Sequence, residues 1–214
     1  MTKKIALLGS TGSIGRQTLE VCGALGIGVE ALSANRNVVL LEEQCRKYRP
    51  RLAVCMDREA AKTLQIKLSD TEVKVAGGPE GLMECATLDG VDTVVGAVMG
   101  MVGLQPALAA LREGRRLALA NKETLVCAGD LVMETARRYG GEVVPVDSEH
   151  SALFQCLQGC RDRGGVKRLI LTASGGPFFG KTRAEMEHMT VADALNHPNW
   201  SMGAKITVDS ATMM

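Results

Sequence analysis

Aromatic side chains are scarce in this chain: one Trp, two Tyr and three Phe in 214 residues. Few rings are available to stack on bases, and 25 Lys and Arg face 24 Asp and Glu with no long basic block. The footprint of a nucleic-acid binder is therefore missing. A long hydrophobic run is missing too. The apolar stretch 5–8 follows Met1-Thr2-Lys3-Lys4 and gives way at once to glycine, too short for a signal-peptide core or a membrane span. No nucleic-acid or membrane partner is expected, and the expected location is the cytoplasm. The seven cysteines (22, 45, 55, 85, 127, 156 and 160) form no C-x-x-C pair. Most lie inside apolar helix or strand patterns, as reduced core thiols do. Cys156 and Cys160 stand one helical turn apart, but no second pair or nearby histidine completes a zinc set.

What is present is an apolar fraction of 46% over a length that suits one full core and part of a second. Strand patterns at 4–8, 28–33, 52–55, 72–75, 92–98, 116–119, 142–146 and 166–172 alternate with helical patterns at 13–24, 38–48, 57–68, 102–113, 130–139 and 149–158. Several strands, such as Thr93-Val94-Val95-Gly96-Ala97-Val98, are apolar throughout. Helices covering both sheet faces produce that pattern, so the expected fold is α/β with a doubly wound, Rossmann-like parallel sheet. From 173 to 203 periodicity fades, and glycine, proline, histidine and tryptophan crowd together. Long ordered loops in α/β proteins often carry function.

Gly9-Ser10-Thr11-Gly12-Ser13-Ile14-Gly15 directly follows the first strand pattern. Strand, glycine turn and helix in that order build a phosphate site, because backbone can approach an anion there and the new helix turns its unpaired N–H groups toward it. The spacing is G-x-x-G-x-x-G rather than G-x-G-x-x-G, and an ordinary βα turn punctuated by glycine is the competing reading. At the end of the second strand, where NAD-selective sites place a carboxylate, the chain has Ser33-Ala34-Asn35-Arg36-Asn37. A cation among hydrogen-bond donors favours the 2′-phosphate of NADP(H), unless these are only polar loop residues.

Two further clusters sit at strand carboxyl ends, where open α/β sheets bind ligands. In Asn121-Lys122-Glu123 the lysine can hold a phosphate or a carbonyl oxygen, or the triplet is a solvated turn. In Asp147-Ser148-Glu149-His150 two carboxylates repel unless a cation separates them, and hard Mg²⁺ or Mn²⁺ prefer such oxygens. Asp147 or Ser148 also suits the cap of a helix beginning near 149, and the two readings can coexist.

Together with Ser174-Gly175-Gly176-Pro177-Phe178, His197-Pro198-Asn199-Trp200-Ser201-Met202-Gly203 and Val208-Asp209-Ser210-Ala211-Thr212-Met213-Met214, these motifs resemble one family across essentially the whole chain: 1-deoxy-D-xylulose 5-phosphate reductoisomerase. The resemblance implies NADPH held by Thr11, Gly12, Ser13, Ile14, Asn35, Arg36, Asn37, Asn121, Glu123 and Gly203. It implies Mg²⁺ or Mn²⁺ on Asp147 and Glu149, and Lys122, Ser148, Glu149, Ser174, His197 and Ser210 as the catalytic and substrate-contacting set. The implied reaction rearranges and reduces a phosphorylated ketose to 2-C-methyl-D-erythritol 4-phosphate in non-mevalonate isoprenoid synthesis. Residues 1–146 would be the NADPH domain and 147–214 the beginning of an α+β catalytic domain, in a protein that forms a homodimer when complete. Trp200, in a loop bounded by glycine and proline, is either a core anchor or, as the resemblance favours, part of a lid closing over substrate.

The chain departs from the family pattern in two places. Asn35 and Arg36 replace a glycine and a lysine, which keeps the cation and adds donors. Met214 precedes the family's third metal-binding glutamate, so the chain is expected to be an N-terminal portion of that enzyme. Two other readings stay open: a fragment that only binds nucleotide, and an NADP-dependent semialdehyde dehydrogenase with Cys127 as nucleophile.

Overall fold

The computed structural model describes residues 3–211, apart from the side chain of Lys205. Thr212, Met213 and Met214 of the last motif lie outside the described residues. The chain divides into two compact units, the first running through Phe154 and the second beginning at Gln155.

In the first unit seven strands alternate with helices. They are β1 (Lys4–Leu8), α1 (Ser13–Leu25), β2 (Gly28–Ala34), α2 (Val38–Tyr48), β3 (Leu52–Cys55), α3 (Arg58–Lys67), β4 (Lys74–Gly77), α4 (Gly78–Thr87), β5 (Thr93–Gly96), α5 (Leu104–Arg112), β6 (Arg116–Leu119), α6 (Glu123–Tyr139) and β7 (Glu142–Pro145), with α7 (Ser148–Gln158) following. The sheet order is β4-β3-β2-β1-β5-β6-β7 and every pairing is parallel. Alternating residues of β1 serve opposite faces. Ile5 and Leu7 pack with Leu19 and Cys22 of α1, Leu41 and Cys45 of α2 and Leu64 of α3. Ala6 and Leu8 pack with Leu82 and Cys85 of α4, Leu108 and Leu111 of α5 and Val132 of α6. The sheet is thus doubly wound, and its order reverses between β1 and β5, which places the ligand crevice outside the carboxyl ends of those strands.

Local chemistry sets the helix limits. Asn37 and Asp57 cap α2 and α3 through their side-chain oxygens, and Gly26 at φ 64° and Gly140 at φ 72° end α1 and α6 in the left-handed conformation.

Several sequence expectations are corrected. Residues 78–87 form α4, which the sequence pattern did not separate from a connecting loop. The strands expected at 72–75 and 92–98 are Lys74–Gly77 and Thr93–Gly96. A 3-10 turn over Gly100–Gly103 precedes α5, replacing the first turn of the helix expected at 102–113. Helix α6 starts at Glu123, seven residues before the expected 130, and carries a kink at Ala128 (φ −144°, ψ 31°). That break had hidden its first turn, because the apolar period does not run through it. The expected strand at 166–172 does not form: the segment has no regular secondary structure, and Leu169, Ile170 and Leu171 are 58%, 69% and 61% exposed. A strand exists only where a neighbour takes its N–H and C=O groups, and none does so among the described residues.

Among the described residues the second unit adds, after a 3-10 turn at Arg163–Gly165, the helices α8 (Arg183–Met186), α9 (Val191–Ala194) and α10 (Ala204–Ala211). Capping boxes at Thr182 and Thr190 start the first two.

Candidate functional site

The glycine loop after β1 is built by close backbone approach. Gly9 has φ +91°, and a Cβ there would lie 2.6 Å from the Ala97 carbonyl oxygen beyond β5. A Cβ on Gly15 would overlap the Gly9 carbonyl. The amides of Gly9 and Ser10 donate to Ser33 O at 3.1 and 2.7 Å, and Gly9 N–H also reaches Ser33 Oγ. Helix α1 begins at Gly12, which offers no side-chain cap, and its first turn contains no acidic residue. By contrast α2 and α3 are capped by their own side chains. The N–H groups of α1 therefore remain open to an anion, beside two positions, Gly9 and Gly15, too tight for any side chain. Thr11 and Ile14 are half-buried there, and Gly12 and Ser13 exposed.

After β2, Asn35, Arg36 and Asn37 are all exposed. Asn37 Oδ1 accepts from Leu40 N–H at 3.2 Å, so that side chain is the cap of α2. Arg36, with its side chain 76% exposed, faces the Asp57 carboxylate at 3.7 Å. Asp57 is held below the usual carboxylate range by the Ala60 and Glu59 amides and by Arg36. Its steady negative charge aims the guanidinium without burying it.

After β6, Asn121 is 3% exposed and donates to Gly100 O at 2.7 Å while its Oδ1 accepts from Thr124 N–H at 3.3 Å. Its side chain is thereby occupied in tying α6 to the 3-10 turn. Lys122 is exposed, and Glu123 is the first residue of α6. After β7, His150 Nδ1 lies 2.7 Å from Asp147 Oδ1. Burial raises the Asp147 carboxyl, but hydrogen bonds with His150 and Glu149 and the charges of His150 and Lys122 outweigh it and hold the group below its usual range. Lys122, Asp147, Glu149 and His150 thus form one electrostatic cluster, with Ser148 exposed at its edge. A carboxylate only accepts, so His150 carries its proton on Nδ1 when neutral. Asp147 and Glu149 suit a hard cation by donor type. Among the described residues no group of three or more His, Cys, Asp and Glu could hold a metal ion, so these two carboxylates are at most part of a site for a hard cation.

In the second unit, Gly175 and Gly176 have φ of +88° and +55°, and a Cβ on Gly176 would overlap the Ser210 carbonyl. The Ser174 loop and α10 are locked together there. Ser210 Oγ donates to Thr207 O at 2.6 Å. His197 is 8% exposed, and its Nδ1 accepts from the Asn199 and Trp200 amides, both at 3.1 Å. That assigns the proton to Nε2, which is buried with no partner among the described residues, a donor awaiting an acceptor. A hollow of about 410 Å³ is lined by His197, Asn199, Trp200, Met202 and Thr207, among others. Trp200 is 63% exposed, which sets aside the core-anchor reading within this unit. Gly203 is exposed.

A family model described as 1-deoxy-D-xylulose 5-phosphate reductoisomerase matches residues 5–129, and one for the C-terminal domain of the same enzyme matches residues 143–214. The chain belongs to the 1-deoxy-D-xylulose 5-phosphate reductoisomerase family. It is 54% identical to the enzyme of that name from Lachnoclostridium phytofermentans over 99% of this chain and 55% of the relative. With that of Moorella thermoacetica the identity is 55%, over 100% of this chain and 55% of the relative. Among solved structures, the reductoisomerase of Zymomonas mobilis in complex with NADPH superposes with a TM-score of 0.90 at 41% identity, covering 100% of this chain and 55% of that one. A DOX-P reductoisomerase in complex with NADPH, fosmidomycin and magnesium gives 0.89 at 41% identity, covering 99% and 55%. The chain spans about half the length of the curated relatives it matches.

The sequence reading missed Gln44, the pairing role of His150, and that Ser33, named there only as a donor near the 2′ position, accepts from the glycine loop. A histidine three residues after Asp147 on a helix is a local signal for the pairing. Nothing local marks Gln44, which meets Ser10 across 34 positions of sequence.

Proposed function

We propose that this chain carries the NADPH site and part of the metal and substrate site of a 1-deoxy-D-xylulose 5-phosphate reductoisomerase, which rearranges and reduces that ketose to 2-C-methyl-D-erythritol 4-phosphate. The observation that carries the reading is the cradle of Gly9 and Gly15 at the uncapped start of α1, in a chain half identical to enzymes of that name. Residues 1–146 are assigned to nucleotide binding and 147–214 to the first part of the catalytic region. The whole protein is assigned to the cytoplasm as a homodimer. No helix of the described residues is long and apolar enough to cross a membrane.

The amides around Thr11, Gly12, Ser13 and Ile14 would receive the pyrophosphate, and Arg36 with Asn35 the 2′-phosphate. Asn37 and Asn121 shape the walls through the bonds they already make, and Glu123 and Gly203 complete the cofactor set. Asp147 and Glu149 would hold Mg²⁺ or Mn²⁺, with Lys122 and His150 balancing their charge. Ser148, Ser174 and Ser210 would offer hydroxyls to substrate, and His197 its Nε2 proton to a substrate oxygen. When bound, NADPH supplies the hydride, and the divalent ion supplies Lewis-acid polarisation of the substrate's carbonyl and hydroxyl oxygens. The 197–203 loop would serve as a lid, with Trp200 leaving water as it closes.

Fluorescence titration tests the cofactor assignment. NADPH should bind at least about tenfold more tightly than NADH, roughly 1.4 kcal/mol, and Arg36→Asp should narrow or reverse that ratio. Equal affinities for the two nucleotides would remove Arg36 from the 2′ site and with it the NADP assignment.

A further inference from the structure

Ser10 is completely buried inside the glycine loop, yet every polar group it carries has a protein partner. Its N–H donates to Ser33 O at 2.7 Å, its Oγ donates to Gln44 Oε1 at 2.7 Å, and its carbonyl oxygen accepts from Gln44 Nε2 at 2.9 Å. Gln44 is 6% exposed and lies on the inner face of α2 beside Leu41 and Cys45. A backbone carbonyl can only accept, so the orientation of the Gln44 amide is determined: its NH₂ faces the carbonyl and its oxygen the hydroxyl.

The consequence follows from peptide geometry. No cis peptide bond occurs among the described residues, and across a trans peptide the C=O and the next N–H point in opposite directions. Holding Ser10 O against Gln44 therefore turns the Thr11 N–H away from α2, toward the exposed side of the loop where Gly12 and Ser13 lie. We propose that Gln44 is a positioning residue of the nucleotide site: through Ser10 it sets the direction of the Thr11 amide that meets the cofactor pyrophosphate, without touching the cofactor. This inference rests on the NADPH reading above. A buried amide is suited to the task. Shape alone would be served by methionine, whereas donating to a carbonyl and accepting from a hydroxyl at once needs both ends of a carboxamide.

The test is NADPH affinity of the purified chain and of three variants, measured by fluorescence titration from about pH 6 to about pH 8, with thermal midpoints recorded alongside. Gln44→Met keeps the volume and loses both bonds, and it should weaken NADPH binding about tenfold at every pH. Ser10→Ala loses only the hydroxyl and should weaken it less. Gln44→Glu is the discriminating variant. Its carboxylate can accept from the Ser10 hydroxyl but repels the Ser10 carbonyl, and it can donate only when protonated. Burial raises such a carboxyl's pKa, so its affinity should be poorest near pH 8 and return toward that of the unaltered chain as pH falls.

A role confined to packing would lower the thermal midpoint of Gln44→Met while leaving NADPH affinity intact, and that result overturns the proposal. So does an affinity ratio between Gln44→Glu and the unaltered chain that stays constant with pH. If Gln44→Met does not fold, the pH profile of Gln44→Glu decides alone. Failure of the unaltered chain to bind NADPH overturns the cofactor reading and this inference together. Normal binding by the unaltered chain and all variants overturns only the role of Gln44.

Discussion

The two units of the chain solve the problem of burial differently. Through Phe154, β1 to β3 and β5 are apolar on both faces, two helix layers cover the sheet, and Leu7, Leu32, Leu64 and Leu117 are completely shielded from water. From Gln155 onward large apolar side chains stand in solvent, including Leu169, Ile170, Leu171, Phe179 and Trp200, and the buried residues are few: Gly176, His197, Thr207 and Ala211. The first unit is held by a core. The second is held by local devices: capping boxes at Thr182 and Thr190, a histidine accepting two amides, and a glycine pressed on Ser210. A frame that buries itself positions ligand groups at its rim. A segment without such a core can present side chains for ligand or for further protein surface, but contributes little to stability by itself.

Thiol chemistry should separate buried from exposed positions most strongly, with Cys127 on α6 an exposed thiol of the sheet unit itself. Cys22, Cys45, Cys55 and Cys85 are buried in the sheet unit, while Cys127, Cys156 and Cys160 are exposed. Burial pushes the Cys45 and Cys55 thiols up to about 12 and about 11, and raises Cys22 and Cys85 as well. An aromatic disulfide reagent should label the three exposed thiols quickly and the four buried ones markedly more slowly. Fast labelling of Cys45 or Cys85 would show that the sheet unit opens and would erase the contrast.

Cavity formation comes next in size. Leu32→Ala removes a side chain with no exposure in the middle of the sheet and should cost about 2–5 kcal/mol in urea unfolding. Ile170→Ala, at 69% exposure, should change stability by no more than about 0.5 kcal/mol. Comparable losses at the two positions would mean that 166–172 is buried in solution. Arg115 offers an intermediate case. Its guanidinium donates to Ala86 O, Thr87 O and Leu88 O at 3.2, 2.9 and 2.8 Å, closing the carboxyl end of α4. Arg115→Met should lower stability by about 1–2 kcal/mol, a loss absent from Lys62→Met, whose partner Glu59 is a surface pair.

The smallest effect is a pH dependence of the sheet unit. Hydrogen bonding to Lys4 leads the causes that hold the Glu30 carboxyl below its usual value, with Arg51 adding to it against burial. A folded-state pKa below the unfolded one stabilises the fold above the unfolded value, near 4.3, and that stabilisation disappears as pH falls through the folded pKa. Because Lys4 and Arg51 are about half exposed, the contribution is roughly 0.5 kcal/mol. Acid titration of the unfolding midpoint should be steeper for the unaltered chain than for Glu30→Gln. Identical slopes would show that the pair gives nothing beyond its surface geometry.

Much of the first unit was legible in the sequence, since each strand there announces itself in four to seven residues and most helices in their own apolar period. The glycine turn, the cation at Arg36 and the paired carboxylates of Asp147 and Glu149 are likewise local patterns. Helix α4 was hidden by the glycines at its start, and the first turn of α6 by the break at Ala128. The hydrophobic run 166–172 was read as a strand because its composition is that of one, but pairing is a property of two segments.

By itself the sequence determined the βα alternation, the sheet class, the family motifs and the presence of a cation, Arg36, after the second strand, because each depends on residues adjacent in the chain. Only the tertiary structure decided which groups meet, Gln44 with Ser10 and Gly9 with Ala97, and that the charge of Lys122 is felt at Asp147. It also decided that the buried His197 carries its proton on Nε2. Those choices are made by burial and hydrogen-bond satisfaction, which act between segments brought together by the fold and leave no periodic trace in any one of them.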